Sequence, residues 1–329
     1  MLSNQKILEK NSASIPKLLI LKLKNKLIKK IILISIISVM LFFFVYHEKI
    51  KTALLSKKEK IYLDQYETNI FYQIKQKLIE NHCSDMWANQ REFLNGVIRK
   101  FLPKKILEIG VNNGGSSIII LNAIKDIKNA KLFSIDLFSG KMIGRCVKEY
   151  FPELSKKWQL FTGNIASEFM EKIGKNIDLV FIDSGHWEPG EILDFLMILP
   201  FLKENAIVVF HDIANQITAS KVRNEWAPYI IFNGIRGKKI LPSGNKILTH
   251  DIGAIILENN QKKYYHDYFR LLGGLWQYFP KEIYINSLKK HFKKYYDKEC
   301  LFMFDETVVF NREFVKNNPK KTFYTINSD

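Results

Sequence analysis

Residues 105–117 read KILEIGVNNGGSS, and this stretch decides the fold. An apolar run containing Glu108 ends at Gly110, two asparagines and two further glycines follow, and hydroxyl residues then open a helical pattern. A strand that ends in glycine and leads into a helix brings backbone N–H groups and the positive end of the helix dipole close to a ligand. The stretch therefore predicts a ligand-binding turn, of the kind that takes nucleotides, at the end of a buried strand.

Further β-rich runs follow this turn, and helical patterns separate them. They are KLFSID (131–136), WQLFTG (158–163), DLVFID (178–183) and AIVVFH (206–211). Alternating strands and helices imply right-handed crossovers and a parallel sheet that is buried on both faces. A later run, HDIGAIILEN (250–259), reads as a strand that pairs antiparallel at the edge. The pattern predicts an α/β fold with a doubly wound, mainly parallel sheet.

The first 60 residues differ in composition from the rest of the chain. They carry thirteen Lys against three Glu and so supply ten of the seventeen net positive charges. Residues 31–46, IILISIISVMLFFFVY, contain no charge and no helix breaker, and as a helix they would span roughly 24 Å. A cleaved signal peptide fits less well, because thirty residues precede the run and no small-residue cleavage site follows it. We predict a basic tail over 1–30 and a transmembrane helix over 31–46.

The orientation of this helix is not fixed by the charges around it. Six Lys lie within twenty residues on its N-terminal side and five on its C-terminal side, so the positive-inside bias nearly cancels. The Leu- and Lys-rich segment 17–30 is compatible both with a basic amphipathic helix on an anionic membrane and with a solvated basic flank.

The cysteines and the net charge bear on the cellular compartment and on the kinds of partner. Cys83, Cys146 and Cys300 are odd in number and far apart, which argues against a disulfide framework and against a thiolate metal site. A reducing compartment fits this usage, and we expect the folded body of a single-pass membrane protein to face the cytoplasm. Outside the N-terminal 60 residues the net charge is only +7, and no nucleic-acid-binding signature is present, so no nucleic-acid partner is expected.

The spacing of the glycines and an acid further along the chain indicate which nucleotide the turn binds. A dinucleotide fingerprint needs G-x-G-x-x-G, whereas the second glycine is missing after Gly110, which disfavours NAD. Asp136 ends the second predicted strand 26 residues after Gly110. A carboxylate at that position can accept both ribose hydroxyls of an adenosine moiety.

Together, LEIGVNNGGSS and FSIDLFSG resemble class I S-adenosylmethionine-dependent methyltransferases. The body is similar to the small-molecule O-methyltransferases that share the EIG-x-x-x-GGSS turn, a branch similar to catechol O-methyltransferases and to the sugar and antibiotic O-methyltransferases. The resemblance covers roughly residues 100–258. It implies a Rossmann-like sheet of seven strands and S-adenosyl-L-methionine as cofactor.

The resemblance also implies a contact for each motif residue. It places Asp136 at the ribose, Leu137 and Phe138 beside the adenine, Asn164 near the exocyclic amine, and around the methionine end Glu108, Gly110, Asn112 and Ser116. Each of these residues also has an ordinary reading: Asp136 as a helix cap, Phe138 as core and Asn164 as a turn residue.

A second group of polar residues follows two later strands. FIDSGHWEPGEIL and VFHDIA end neighbouring strands, so Asp183, His186, His211 and Asp212 should converge at one edge of the pocket. In the metal-dependent O-methyltransferases that the chain resembles, acids at these strand ends hold a divalent ion. The resemblance thus implies a metal site at Asp183, His211 and Asp212. The carboxylates suit Mg²⁺ or Mn²⁺, and the imidazole leans toward Mn²⁺ or Fe²⁺.

The base in this group departs from the catechol-type pattern. No Lys follows the HW pair, because residues 188–191 are Glu, Pro, Gly and Glu. His186 is therefore the predicted base, with Asp183 as the second catalytic residue. The alternative is an ordinary histidine that is satisfied at a strand end.

The predicted organisation has a helical linker and cap over 47–100, the methyltransferase domain over 101–258 and an aromatic C-terminal extension over 259–329. The extension reads as a helical cap in preference to a stacking platform. We expect a membrane-anchored methyltransferase that acts on an oxygen of a small or glycan-like acceptor. The rival is a membrane-tethered nucleotide-binding module without catalysis, but a degenerate domain has no reason to keep both Asp136 and the second polar group.

Overall fold

The computed structural model describes residues 62–214, 225–244 and 251–318. The predicted basic tail (1–30), the predicted transmembrane helix (31–46) and the start of the linker lie outside these residues. None of the described helices combines the length and the apolar character needed to cross a bilayer.

The helices and strands of the described residues alternate along most of the chain. In chain order they are α1 (Thr68–Glu80), α2 (Ala88–Phe101), β1 (Lys105–Ile109), α3 (Gly115–Ala123), β2 (Lys131–Asp136), α4 (Arg145–Tyr150), β3 (Trp158–Thr162), α5 (Met170–Ile173), β4 (Ile177–Ile182), α6 (Gly190–Ile198), β5 (Leu202–His211), α7 (Ala227–Gly234), β6 (Gly237–Ile240), β7 (Ile252–Leu257), α8 (Tyr265–Arg270), α9 (Glu282–Tyr295) and α10 (Lys298–Asn317). Short 3-10 turns lie at Leu63–Gln65, Pro152–Lys157, Ala166–Glu168, Leu199–Phe201, Gln261–Tyr264 and Leu271–Gly273.

The strands form a seven-stranded sheet in the order β3-β2-β1-β4-β5-β7-β6. The first five strands are mutually parallel. The last two pair antiparallel, β7 with β5 and β6 with β7. The Rossmann-like, mainly parallel sheet is therefore confirmed.

The edge of the sheet differs from the prediction. The antiparallel pairing of the late strand is confirmed, but β6 lies outside it and forms the edge. The sequence of β6, GKKI, is short and carries two lysines, so it has neither the length nor the apolar alternation that marks a strand.

Side chains alternate along the central strands and supply both layers of the core. Leu107 and Ile109 of β1 pack in one apolar cluster with α6 and the C-terminal helices. Ile106 packs in the other with α1, α2 and α3. Because successive strand residues point to opposite faces, Glu108 lies on the α3 side. The helical pattern of the cap thus corresponds to α1 and α2, which cover this face.

Cys83 and Cys146 form a disulfide, which contradicts the prediction made from cysteine number and spacing. The two residues are 63 positions apart in sequence, yet their Cα atoms lie 5.9 Å apart. The connection between α1 and α2 lies against the start of α3, next to α4, so sequence separation was a poor guide to distance. Cys300 is free and buried. A disulfide persists in oxidising compartments, so the argument for a reducing compartment no longer holds.

Several aromatic residues of the C-terminal extension belong to the core. Tyr265, Phe269, Phe292 and Tyr296 are buried and pack edge to face with one another. The connection before α9 also reaches the carboxyl end of the sheet: Gln277 N–H donates to Glu188 O at 2.9 Å, and Glu188 N–H donates to Gln277 Oε1 at 3.0 Å. The extension thereby contacts the loop that follows β4.

Candidate functional site

A cavity of about 870 Å³ lies at the carboxyl ends of β1, β2, β4 and β5. This is where ligands bind in open α/β sheets. Most of the residues singled out in the sequence line it, namely Gly110, Asn112, Ser116, Asp136, Leu137, Phe138, Asn164, Asp183, His186, His211 and Asp212. Glu108 does not line it.

The glycine turn, residues 110–115, forms because the ends of β1 and β4 approach each other closely. Gly110 has φ +89°, and a Cβ there would lie 1.8 Å from the carbonyl oxygen of Asp183. Gly114, with φ +94°, is the N-cap of α3. Only glycine fits such positions without strain, and the turn carries backbone N–H groups to the cavity wall.

Glu108 supports the glycine turn from beneath. Its carboxylate is fully buried and accepts hydrogen bonds from the hydroxyls of Ser116, Ser117 and Ser134, each at 2.6 Å. Burial raises the pKa of Glu108 to about 7, although the three hydroxyl donors lower it. Glu108 therefore ties β1, β2 and α3 together beneath the turn, and its place around the methionine end of the cofactor stays a prediction.

Asp136 joins the glycine turn to the loop after β2. Its Oδ2 accepts from the backbone N–H groups of Val111 at 2.9 Å and Asn112 at 3.0 Å. Its Oδ1 accepts from the N–H of Phe138 at 2.9 Å. Asp136 lies on the cavity wall, and because Oδ2 already accepts two hydrogen bonds, Oδ1 is the oxygen that keeps a lone pair for a ligand hydroxyl.

The predicted adenine end lies beside Asp136. Phe138 lines the cavity while 62% of its surface is exposed, so it is not a core residue. Asn164 Oδ1 accepts from the N–H of Ile165 at 2.9 Å, which leaves its amide N–H₂ group available to a ligand. Both residues therefore stand where a flat heterocycle can lie between them and the sheet.

The second polar group converges as predicted, and we call Asp183, His186, His211 and Asp212 the acid–histidine cluster. His186 Nε2 lies 3.2 Å from Asp183 Oδ1, and His186 Nδ1 lies 3.2 Å from Asp212 Oδ2. His211 Nδ1 lies 3.5 Å from Asp183 Oδ1 and 3.2 Å from Asp212 Oδ1. Asp212 adopts φ +54°, an uncommon conformation that turns its carboxylate back toward both imidazoles.

Charge governs protonation in this cluster. Burial alone would lower the pKa of His186, but the surrounding carboxylates, led by Asp183 and Glu225, raise it to about 12. Burial would also lower the pKa of His211, but Asp183 and Asp212 raise it well above its usual range. Burial would raise the pKa of Asp183, but the two imidazoles hold it well below its usual range. The carboxylates and imidazoles of the cluster thus favour each other's charged forms.

Three further acids surround the cluster, and the sequence reading missed all three. Glu191 Oε1 lies 3.8 Å from His186 Nε2, and Glu225 Oε2 lies 3.7 Å from His186 Nδ1. Asp251 lies on the far side of Asp212, and burial raises its pKa to about 6. The only sequence signal is at Glu191, a lone acid at the start of the apolar segment that becomes α6. This excess of carboxylates is suited to a cation.

The cluster also contains buried polar atoms with no hydrogen-bond partner among the described residues. Both ring nitrogens of His211 and the Oε2 atom of Glu191 are of this kind. His211 Nδ1 is close to two carboxylates, but the geometry of these contacts is not that of a hydrogen bond. Buried unpartnered groups are rare and call for a ligand or ion.

The donor atoms fit a divalent cation. One ligand atom each from Asp183, His186 and Asp212 lie within 4.8 Å of one another. This grouping contains His186 where the resemblance implied His211, although His211 Nδ1 borders the same two carboxylates. Carboxylate oxygens with an imidazole nitrogen suit Mn²⁺ or Fe²⁺ better than Mg²⁺.

The remaining cavity wall comes partly from the C-terminal extension. Tyr278 and Tyr284 line the cavity, together with Trp187 and Asp194. Burial and the nearby Asp194 raise the pKa of Tyr278 above its usual value, so its hydroxyl stays protonated. No motif in the sequence marked these residues, because only the fold brings the extension to the loop after β4.

Residues 107–213 match a family model described as a methyltransferase domain. No curated relative matches the chain.

Solved structures show distant likenesses. The chain is similar to an O-methyltransferase from Bacillus cereus in complex with S-adenosylhomocysteine, at 15% identity and a TM-score of 0.42, over 57% of this chain and 90% of that one. Podospora anserina PaMTH1, bound to S-adenosylhomocysteine, is 18% identical with a TM-score of 0.42, over 65% and 96%. Streptomyces achromogenes TomG, an O-methyltransferase involved in tomaymycin synthesis and bound to S-adenosylmethionine, is 17% identical with a TM-score of 0.42, over 57% and 89%. At these values the likenesses carry no conclusion about activity.

The family match spans the glycine turn, Asp136 and the whole acid–histidine cluster. Residues 107–213 therefore carry a methyltransferase domain. This confirms the enzyme class that the sequence resemblance implies.

Proposed function

We propose that the protein transfers the methyl group of S-adenosylmethionine to a hydroxyl oxygen of a small or glycan-like acceptor, with a divalent cation held by the acid–histidine cluster. The observation that carries the proposal is the adjacency of two sites. Gly110 of the glycine turn lies against the backbone of Asp183, the first acid of the cluster. A cofactor on the turn and an acceptor at the cluster would meet in one cavity.

The cofactor end would be held by complementary groups. Oδ1 of Asp136 accepts from a ribose hydroxyl, Phe138 offers an aromatic face to the adenine, and the N-terminus of α3 faces the methionine carboxylate. Because the glycines keep the turn free of side chains, the sulfonium can approach the strand ends.

The cluster would prepare the acceptor. A bound divalent cation lowers the pKa of a coordinated hydroxyl and orients it, with Asp183 and Asp212 as carboxylate ligands and His186 or His211 as the imidazole ligand. An imidazolium cannot accept a proton, so His186 is a poor base while carboxylate charge keeps it protonated. With His211 as the imidazole ligand, His186 would be the base that takes the acceptor proton at Nε2 once a cation offsets that charge.

The acceptor would lie against the extension. Trp187, Tyr278 and Tyr284 give this wall flat apolar faces, and the buried hydroxyl of Tyr278 can donate to a polar substituent. Such a wall suits a ring-shaped acceptor, either an aryl compound or a sugar.

Two measurements on the detergent-solubilised full-length protein test the proposal. Isothermal titration calorimetry should show that the protein binds S-adenosylhomocysteine much more tightly than NAD. Incubation with labelled methyl donor, Mn²⁺ and an extract of membrane lipids and small metabolites should give a labelled product. Preference for NAD would rule out the cofactor. Binding of S-adenosylhomocysteine without transfer to any fraction would favour the non-catalytic binding module instead.

We also propose that residues 31–46 anchor the protein in a membrane. The support is the uncharged, sixteen-residue apolar run between lysine-rich flanks. Salt screens lysines but does not extract a buried apolar helix. The full-length protein should therefore stay in the membrane fraction after a high-salt wash, and release by salt alone would contradict the anchor.

A further inference from the structure

The segment Cys83–Met86, which we call the strap, forms part of the cavity wall. All four of its residues line the cavity. The strap lies directly on the first turn of α3, since a Cβ on Gly115 would lie 2.1 Å from Cys83 O and 2.7 Å from Ser84 Cβ. Gly115 is thus needed for the strap to reach its place, and the strap borders the glycine turn from the side of the cap.

The other half of the disulfide is fixed to the same turn. Cys146 N–H donates to the carbonyl oxygen of Asn113 at 2.9 Å, and Gly144 N–H donates to that of Asn112 at 2.7 Å. Cys146 is fully buried at the start of α4. Any displacement of Cys146 would therefore disturb the glycine turn.

Cys83 and Met86 of the strap are buried in the core cluster of α1, α2 and α3, and the strap's hydrogen bonds among the described residues are local. Cys83 N–H donates to Leu78 O at 3.1 Å, and Met86 N–H donates to Ser84 Oγ at 3.3 Å, so these bonds stay within the connection between α1 and α2. The Cys83–Cys146 bond is the covalent link that joins this connection to the turn.

We propose that the Cys83–Cys146 disulfide positions the strap against the cofactor cavity, so that reduction of this bond weakens cofactor binding. The inference rests on the proposed cofactor. In the reduction, one dithiol gives up two electrons and becomes a disulfide, while the Cys83–Cys146 bond breaks and each sulfur takes up one of the dithiol's protons. The form that binds the cofactor tightly is then the oxidised one, which persists in an oxidising compartment. The cysteine count had instead favoured a reducing compartment.

The test is titration of S-adenosylhomocysteine into full-length protein purified without reductant, before and after treatment with dithiothreitol. Titrations run well below the melting temperature of each form. The dissociation constant should rise at least tenfold on reduction. Cys83→Ser and Cys146→Ser should show the weaker binding from the start and not respond to dithiothreitol. Cys300→Ser removes the free buried thiol and serves as the matched control, which should behave like the wild type.

Two readouts separate positioning from general stability. Denatured protein should show one free thiol per chain before reduction and three after it. Hydrogen exchange on the reduced protein should rise in the strap and the glycine turn but not in the central strands. An exchange increase throughout the body would make the disulfide merely structural and overturn the proposal.

The remaining outcomes are also decisive. Three free thiols before reduction, or a dissociation constant unchanged within twofold, would overturn the inference and leave the proposed function intact. No binding of S-adenosylhomocysteine in either redox state would refute the proposed cofactor, and the inference with it.

Discussion

The glycine turn and the acid–histidine cluster adjoin in one cavity, yet they differ in how their polar groups are satisfied. Under and beside the turn, the carboxylates of Glu108 and Asp136 accept three hydrogen bonds each, from serine hydroxyls and from backbone N–H groups. In the cluster, both ring nitrogens of His211 are buried without a hydrogen-bond partner among the described residues. The turn is complete without a ligand, and the cluster is not.

This difference separates scaffold from chemistry. An unpartnered buried polar group costs about 1–3 kcal/mol of stability, and at the cluster a ligand or ion would supply the missing partner. The turn carries no such group, so it is preorganised for binding. The two regions should therefore respond independently to substitution.

The largest effect is expected from Asp212→Asn. The substitution keeps the size of the side chain but removes one of the two carboxylate charges at the centre of the cluster. Mn²⁺ affinity, measured by titration calorimetry, should fall roughly 100-fold, the upper end of the loss that changes around a metal site cause, because a carboxylate charge is removed. The affinity for S-adenosylhomocysteine should stay within twofold.

Asp297→Asn is the matched control, because His266, Asp297 and Cys300 form the other group of possible metal ligands among the described residues. Asp297 is the N-cap of α10, where it accepts from Cys300 N–H, and asparagine also caps helices well. This variant should bind Mn²⁺ like the wild type. The reverse pattern would move the metal site to the C-terminal extension.

The next effect concerns stability and pH at Glu108. Burial raises the pKa of Glu108 to about 7 from an ordinary value of 4.5. The folded state therefore holds this proton more tightly, so the stabilisation is fully present below pH 4.5 and is lost as the pH rises through about 7. The unfolding free energy of Glu108→Gln relative to the wild type should thus increase by roughly 3 kcal/mol between these limits.

Urea unfolding at a series of pH values measures this difference. Glu204→Gln, at an exposed position of β5, is the control and should leave the pH dependence unchanged. Parallel pH profiles for the wild type and Glu108→Gln would show that Glu108 is not the group that takes up the proton.

The sequence predicted the part of the molecule that depends on local patterns. Each run from 105 to 211 that was read as a strand is one, because apolar runs and glycine turns report on local structure. Asp183, His186, His211 and Asp212 converge for a simple topological reason, since adjacent parallel strands end at the same edge.

The missed features all depend on long-range contacts. Cys83 meets Cys146 only because the connection after α1 lies on α3, and Tyr278 reaches the cavity only because the connection before α9 pairs with Glu188. Glu225 is near His186 in space but carries no pattern in sequence. Glu108 was assigned to the cofactor, and only the packing of three serines around it shows that it is enclosed.

A smaller effect is expected from Asp136→Ala. The variant loses the acceptor for the proposed ribose and the hydrogen bonds that hold the turn, and the affinity for S-adenosylhomocysteine should fall by about 2 kcal/mol, roughly 30-fold. Asp136→Asn should not restore it. In either orientation the amide N–H₂ would face a backbone N–H, of Val111 and Asn112 or of Phe138. Unchanged Mn²⁺ binding in both variants would support the independence of the turn and the cluster. Normal cofactor affinity in Asp136→Asn would show that the carboxylate is not needed to hold the ribose and the turn.

The smallest effect is expected from Phe138→Ala. Because 62% of Phe138 is exposed, its removal should change the unfolding free energy by less than about 0.5 kcal/mol. The loss of an aromatic face for the adenine should weaken S-adenosylhomocysteine binding by about 1 kcal/mol, or roughly fivefold. Phe302→Ala removes an equally exposed phenylalanine of α10 that does not line the cavity, and it should change neither quantity. If Phe138→Ala instead lowered stability and left the affinity unchanged, Phe138 would be a packing residue of the loop after β2, and the adenine would have to be sought elsewhere in the cavity.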